Sequence, residues 1–187
     1  MIECYGQTDF RVSRWSGGET RELFLFPSGT SYKDRNFALR LSSATIELPT
    51  STFTHLQGVK RFITPITHPF LLEVNGNAPF LLSPFEVFEF SGSDEVKSYG
   101  MSVDFNLMLN ERLASGWMRS VKTGDEIKIA IDAGEMFWIF SYFPSTVVLN
   151  KEEHGMDECS LLVVRNVEQE FTFFSNEPLV YGVSKLL

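Results

Sequence analysis

Three pairs of polar residues recur in this chain with the same spacing: Thr20-x-Glu22, Arg40-x-Ser42 and Asp104-x-Asn106. Residues two apart in a β-strand project from the same face. If each pair sits on a strand, three strands can turn two carboxylates, one guanidinium and three neutral hydrogen-bonding groups toward one side. Such a set can hold a small polar ligand. Arg40 can clamp a carboxylate through parallel N–H donors. Thr20, Ser42 and Asn106 can supply oriented donors and acceptors. Glu22 and Asp104 can receive an amino or imino group, or form a general acid–base pair. The competing arrangement leaves all three pairs on the solvated face of a sandwich. The residues alone leave both open.

The elements that must position these pairs read as strands. Trp15-Ser16-Gly17-Gly18 is a turn with an aromatic beside it, either a cavity wall or a plug. It feeds a strand over 20–26, which Pro27-Ser28-Gly29 closes. Residues 30–36 read as a polar loop. A long strand over 37–48 alternates, with Leu39 and Leu41 on one face and Arg40 and Ser42 on the other. Residues 59–66 form another strand, with Pro65 at an edge or an end. Asn75-Gly76 lies between two apolar runs, a strong hairpin signal because both central residues of a type I′ turn need positive φ. Residues 84–90 alternate, and 101–108 carry the third pair. Residues 109–119 read as a helical turn or a loop. Six further short strands follow Val121.

No 3.6-residue period persists for three turns, and eighteen Phe in 187 residues favour strands. The expectation is an all-β chain of two β-barrel or jelly-roll halves, about 1–108 and 120–187. No linker rich in Pro, Gly or Ser separates them, so one unit is expected.

Composition narrows the function classes. The net charge is -8 and the 16 basic residues are scattered, which argues against nucleic acid. No apolar run is long enough to span a bilayer. Residues 1–5 lack the character of a secretory signal, and two cysteines, Cys4 and Cys159, make no disulfide framework. A cytoplasmic location follows as the expectation. The three histidines, His55, His68 and His154, are not spaced as metal ligands, so neither metal nor other cofactor is expected. There is no Gly-x-Ser-x-Gly elbow and no phosphate-binding loop.

A sequence resemblance adds to this reading. Trp15-x-Gly17-Gly18-x-Thr20-x-Glu22, Arg40-Leu41-Ser42-x-Ala44, Phe53 with Gly58-x-x-Arg61, Pro84-Phe85 with Phe88, and Asp104-Phe105-Asn106-Leu107-Met108 occur in this order. Together they resemble the HutD/Ves family over roughly residues 10–108. The chain departs from the family pattern at Ser16, at His55-Leu56-Gln57 and at Leu109-Asn110-Glu111-Arg112.

The resemblance implies a cupin-like fold of two halves without the metal-binding histidines of enzymatic cupins. It implies that the three pairs face one pocket, walled by Trp15 and joined by Arg61. It also implies a link to bacterial histidine utilisation or, in the Ves branch, to stress response. The implied ligand is a small pathway metabolite such as formiminoglutamate or urocanate.

Three functions compete. The first is a metal-independent, regulatory binding protein for a small polar carboxylate. The second is a metal-independent isomerase, lyase or hydrolase that uses Glu22 and Asp104. The third is an interaction protein whose aromatic surplus forms a partner surface. A homodimer through free sheet edges is compatible with each.

Overall fold

The computed structural model describes residues 1–187. In chain order the strands are β1 (Ile2–Tyr5), β2 (Arg11–Trp15), β3 (Gly18–Phe26), β4 (Leu39–Ile46), β5 (Thr50–Thr52), β6 (Val59–Pro65), β7 (Phe70–Val74), β8 (Phe80–Leu82), β9 (Phe88–Ser91), β10 (Val96–Tyr99) and β11 (Ser102–Asn110). They continue as β12 (Ala114–Val121), β13 (Ile127–Ile131), β14 (Glu135–Ser141), β15 (Ser145–Leu149), β16 (Glu152–Met156), β17 (Ser160–Arg165), β18 (Gln169–Ser175) and β19 (Leu179–Leu186). One 3-10 turn, Gln7–Asp9, is the only helical element. No helix is long and apolar enough to cross a membrane.

The chain divides into two units, Arg11–Ala114 and Met1–Phe10 with Ser115–Leu187. In the Arg11–Ala114 unit a six-stranded antiparallel sheet runs β2-β3-β4-β11-β6-β9, and a four-stranded one runs β5-β10-β7-β8. Ile46, Ile63 and Phe90 of the first sheet meet Phe70, Leu72, Leu82 and Val96 of the second. Fully burying side chains of this size contributes about 1.5–3 kcal/mol each.

In the other unit the sheets run β1-β17-β14-β19-β12 and β13-β18-β15-β16. Phe137 of β14 lies 5.9 and 5.5 Å from Phe171 and Phe173 of β18, ring centre to ring centre. The first strand joins this unit because Ile2 to Tyr5 pair with Leu161 to Val164. An Arg165–Glu3 ion pair at 2.6 Å reinforces that ladder.

The all-β expectation holds, but the halves are sandwiches rather than closed barrels. In each unit the two sheets share no hydrogen-bonded strand pair. Alternation sets which face of a strand is apolar, and a sandwich and a barrel need the same alternation. Closure is decided by pairing at the sheet edges, which alternation does not encode.

Three local expectations also shift. Residues 109–119 form no helical turn; β11 runs to Asn110, and β12 starts at Ala114 after a short turn. The alternating stretch 84–90 is strand only from Phe88, because Phe85 adopts a positive φ of 64° and breaks the ladder. Asn75 and Gly76 do take positive φ, 54° and 71°, but within a five-residue connection from β7 to β8.

The β2–β3 hairpin depends on Gly18. Its φ is +144°, and a Cβ there would overlap the Thr45 backbone oxygen. Gly18→Ala is expected to cost at least about 1–3 kcal/mol through strain and overlap. Urea unfolding of the variant against the wild type measures it.

Candidate functional site

Antiparallel register places the three pairs side by side. Thr20, Ala44 and Asp104 lie opposite one another across β3, β4 and β11, and Glu22, Ser42 and Asn106 form the next row. Directly opposed residues share a face, so the rows project to one side. One step further along, Met108 lies between Arg40 and Arg61. A bulge at Leu23 shifts the register of β3, so that Leu25 rather than Phe24 stands opposite Arg40. That shift seats Leu25 in the apolar cluster of Phe37, Leu56, Val59 and Met108.

This face lines a cavity of about 320 Å³. Of the residues expected from sequence, Trp15, Thr20, Arg40, Ser42, Arg61, Asp104 and Asn106 line it. Glu22 does not. Its Oε2 instead accepts a 2.9 Å hydrogen bond from Arg40 Nε. The expected Glu22/Asp104 carboxylate pair is therefore not presented to the cavity, because the nearest guanidinium claims one of its members. Arg40 also donates from Nη1 to Ser42 Oγ at 2.9 Å. It is 6% exposed, and its Cζ lies 4.3 Å from the centre of the Tyr32 ring.

Arg61 is held differently. Its guanidinium lies against both Phe53 and Phe90, 5.2 and 4.9 Å from the ring centres, and the two rings themselves meet edge to face with centres 6.1 Å apart. A cation over an aromatic face gains roughly 2 kcal/mol when desolvated. Arg61 Nη1 donates to the Thr54 carbonyl at 3.1 Å and Nη2 to Asn106 Oδ1 at 3.5 Å. Nε has no partner. Burial lowers its pKa to about 10, so Arg61 stays a cation at neutral pH.

Asp104 is 2% exposed. Its Oδ1 accepts from Asn106 Nδ2 at 2.7 Å and from the Ala44 amide at 3.3 Å. Burial raises its carboxyl from 3.8 to about 7, against the pull of those donors and of Arg61 and Arg40. Desolvation is the larger effect because almost no water reaches the charge.

Sequence reasoning missed Tyr32, Ser13, Ser51 and Met108, which also line the cavity. Tyr32 lies in the stretch read as a polar loop, and nothing local marks it. Ser13 could have been found from alternation, since it pairs with Thr20. No three His, Cys, Asp or Glu residues gather as a metal site. The arginines that dominate this cavity attract anions and repel cations. The aromatic surplus is mostly internal: Phe80 and Phe174 are the only exposed phenylalanines.

A model of the HutD family matches residues 7–178. Among solved structures, HutD from Pseudomonas fluorescens SBW25, in a formate condition, is similar with a TM-score of 0.82 at 23% identity, covering 100% of both chains. A conserved protein of unknown function from Pseudomonas aeruginosa PAO1 is similar at 0.79 and 21%, covering 100% of this chain and 98% of the other. The bacterial pirin YhhW from Escherichia coli, in complex with nickel(II), is similar at 0.65 and 13%, covering 100% and 99%. No curated protein matches in sequence. At these identities the structures establish a shared cupin-like fold.

Asp104 ties stability to pH with a definite sign. Its carboxyl holds a proton more tightly in the folded chain than in the unfolded one. The stability it contributes is therefore fully present below about pH 4 and lost as pH rises through about 7. Asp104→Asn is expected to flatten that loss. Between about pH 5 and pH 8 the wild type should fall relative to the variant by on the order of 2 kcal/mol. Chemical denaturation at a series of pH values reads it out.

Proposed function

This chain belongs to the HutD family, and on that premise we propose that its cavity binds a small polar carboxylate, making it a metal-independent, regulatory binding protein. The observation that carries the reading is the pair of buried guanidiniums lining one cavity with donors left over. A guanidinium has five N–H groups. Arg61 commits one from Nη1 and one from Nη2, which leaves one on each Nη for a ligand, while its Nε is sealed in the protein without a partner. Arg40 commits Nε and Nη1, and its Nη2 is unengaged.

Charge supports the same reading. Glu22 balances Arg40 directly. Arg61 has no such ion-pair partner, and Asp104 is about half-protonated near pH 7 and largely protonated below it. The cavity thus carries surplus positive charge, which an entering carboxylate neutralises. A volume of about 320 Å³ suits a small metabolite rather than a cofactor. Formiminoglutamate and urocanate, acids of histidine breakdown, are the first ligands to try.

Titration calorimetry with urocanate and with N-formimino-L-glutamate tests this. Arg61→Ala is expected to weaken binding by about 30-fold or more, as loss of a buried charge partner does. Arg61→Lys should recover only part, because a point charge cannot replace the fork. An Arg61→Ala variant that is folded and binds both acids as well as the wild type would refute the reading.

A second reading is a metal-independent isomerase, lyase or hydrolase, favoured by Asp104 alone, whose carboxyl is poised near neutrality inside the cavity. Incubating each acid with the protein and following it by NMR separates the two. Binding without conversion is the expected outcome. Conversion that Asp104→Asn abolishes while binding persists would make the chain an enzyme.

A further inference from the structure

We infer that Asp104 is the specificity-determining hydrogen-bond donor of this cavity: when a carboxylate binds, Asp104 takes a proton from solvent and donates it through Oδ2 to the ligand. This rests on the carboxylate-binding reading above and adds to it which protonation state binds and which ligands are refused.

The hydrogen-bond pattern dictates where the proton must sit. Both partners of Oδ1 are donors, the Ala44 amide and Asn106 Nδ2. The orientation of the Asn106 amide is not arbitrary, because Arg61 donates to its Oδ1 and so turns Nδ2 toward Asp104. An oxygen that receives two donors has no room for a proton of its own. The acid form of Asp104 therefore carries its proton on Oδ2. That oxygen accepts no bond from the protein, and it is not sealed away as an unsatisfied buried atom. Asp104 lines the cavity, and Oδ2 is the oxygen left free to meet a ligand there.

The charged and titratable groups around Asp104 can be named element by element. β4 brings Arg40 and β6 brings Arg61. β3 brings Thr20 to the cavity wall and Glu22, which Arg40 holds. The loop before β4 brings Tyr32, and residues 51–54 bring no ionisable side chain. No other acid faces the cavity, so Asp104 alone must answer an incoming anion. A second carboxylate in about 320 Å³ cannot sit beside an ionised one without strong repulsion. Proton uptake removes the repulsion and turns Oδ2 from an acceptor into a donor. Burial has already brought the carboxyl to about 7, so the step is available near neutral pH. An ammonium or amidinium group at the same position needs the opposite state, ionised Asp104, and its affinity would rise with pH.

The test is calorimetric titration of the full chain with formate and with N-formimino-L-glutamate, whose carboxylates stay ionised above about pH 6. Runs in two buffers of different protonation enthalpy count the protons exchanged. The expected result is uptake approaching one proton per ligand at about pH 8.5, with affinity falling about tenfold per pH unit there. Asp104→Asn, which keeps a donor and cannot titrate, should bind with a flat pH profile. Binding by the wild type without proton uptake, binding with proton release, or an unchanged slope in Asp104→Asn would each overturn the inference and leave carboxylate binding standing. Absence of binding at every pH would overturn both. If Asp104→Asn does not fold, the proton count on the wild type decides alone.

Discussion

The structure turns on the cost of taking charge out of water. Arg40, Arg61 and Asp104 are each no more than 6% exposed. A buried ion carries a penalty of several kcal/mol after relaxation. Each is offset by a different device. Arg40 has a carboxylate at 2.9 Å and a hydroxyl at 2.9 Å. Arg61 has two aromatic faces and a backbone carbonyl. Asp104 has two donors on one oxygen and otherwise gives up its charge. These groups and devices come from β3, β4, β6, β9 and β11 of the six-stranded sheet, with Phe53 and Thr54 added from the loop after β5, so the site exists only when that sheet has the observed register.

That dependence explains the apolar packing around the cavity. Ile46, Ile63 and Phe90 belong to the same face as the polar rows and pack against the four-stranded sheet. Phe90 serves twice, as a core residue and as one of the two rings that contact the Arg61 guanidinium. A guanidinium held in this way is oriented before any ligand arrives. Less entropy is then lost on binding than with a free arginine side chain. Asn106 joins the two charged groups, accepting from Arg61 and donating to Asp104. A change at any one of the three is therefore felt by the other two.

Much of this was legible in the residues. The two-residue spacing of Thr20, Arg40 and Asp104 with their partners correctly put each pair on one face. The shortage of helical periodicity correctly indicated an all-β chain. Glu22 was misplaced because its spacing says which face it leaves from and not which neighbour it meets. Tyr32 was invisible because a loop residue has no periodicity to betray its direction. The barrel expectation failed for a related reason: alternation is local, whereas sheet closure depends on edges distant in sequence.

The sequence by itself determined the strands, their faces and the stock of charged groups, because side-chain direction in a strand follows from a period of two. Only the tertiary structure decided which charges neutralise one another. The bulge at Leu23, the register of β4 against β11 and the Phe53 and Phe90 rings against Arg61 leave Arg61 with spare donors and Asp104 with a bare oxygen. Electrostatic pairing and desolvation depend on ångström separations between residues far apart along the chain, Thr20 and Asn106 on one cavity wall being 86 positions apart. No spacing along the chain encodes those separations.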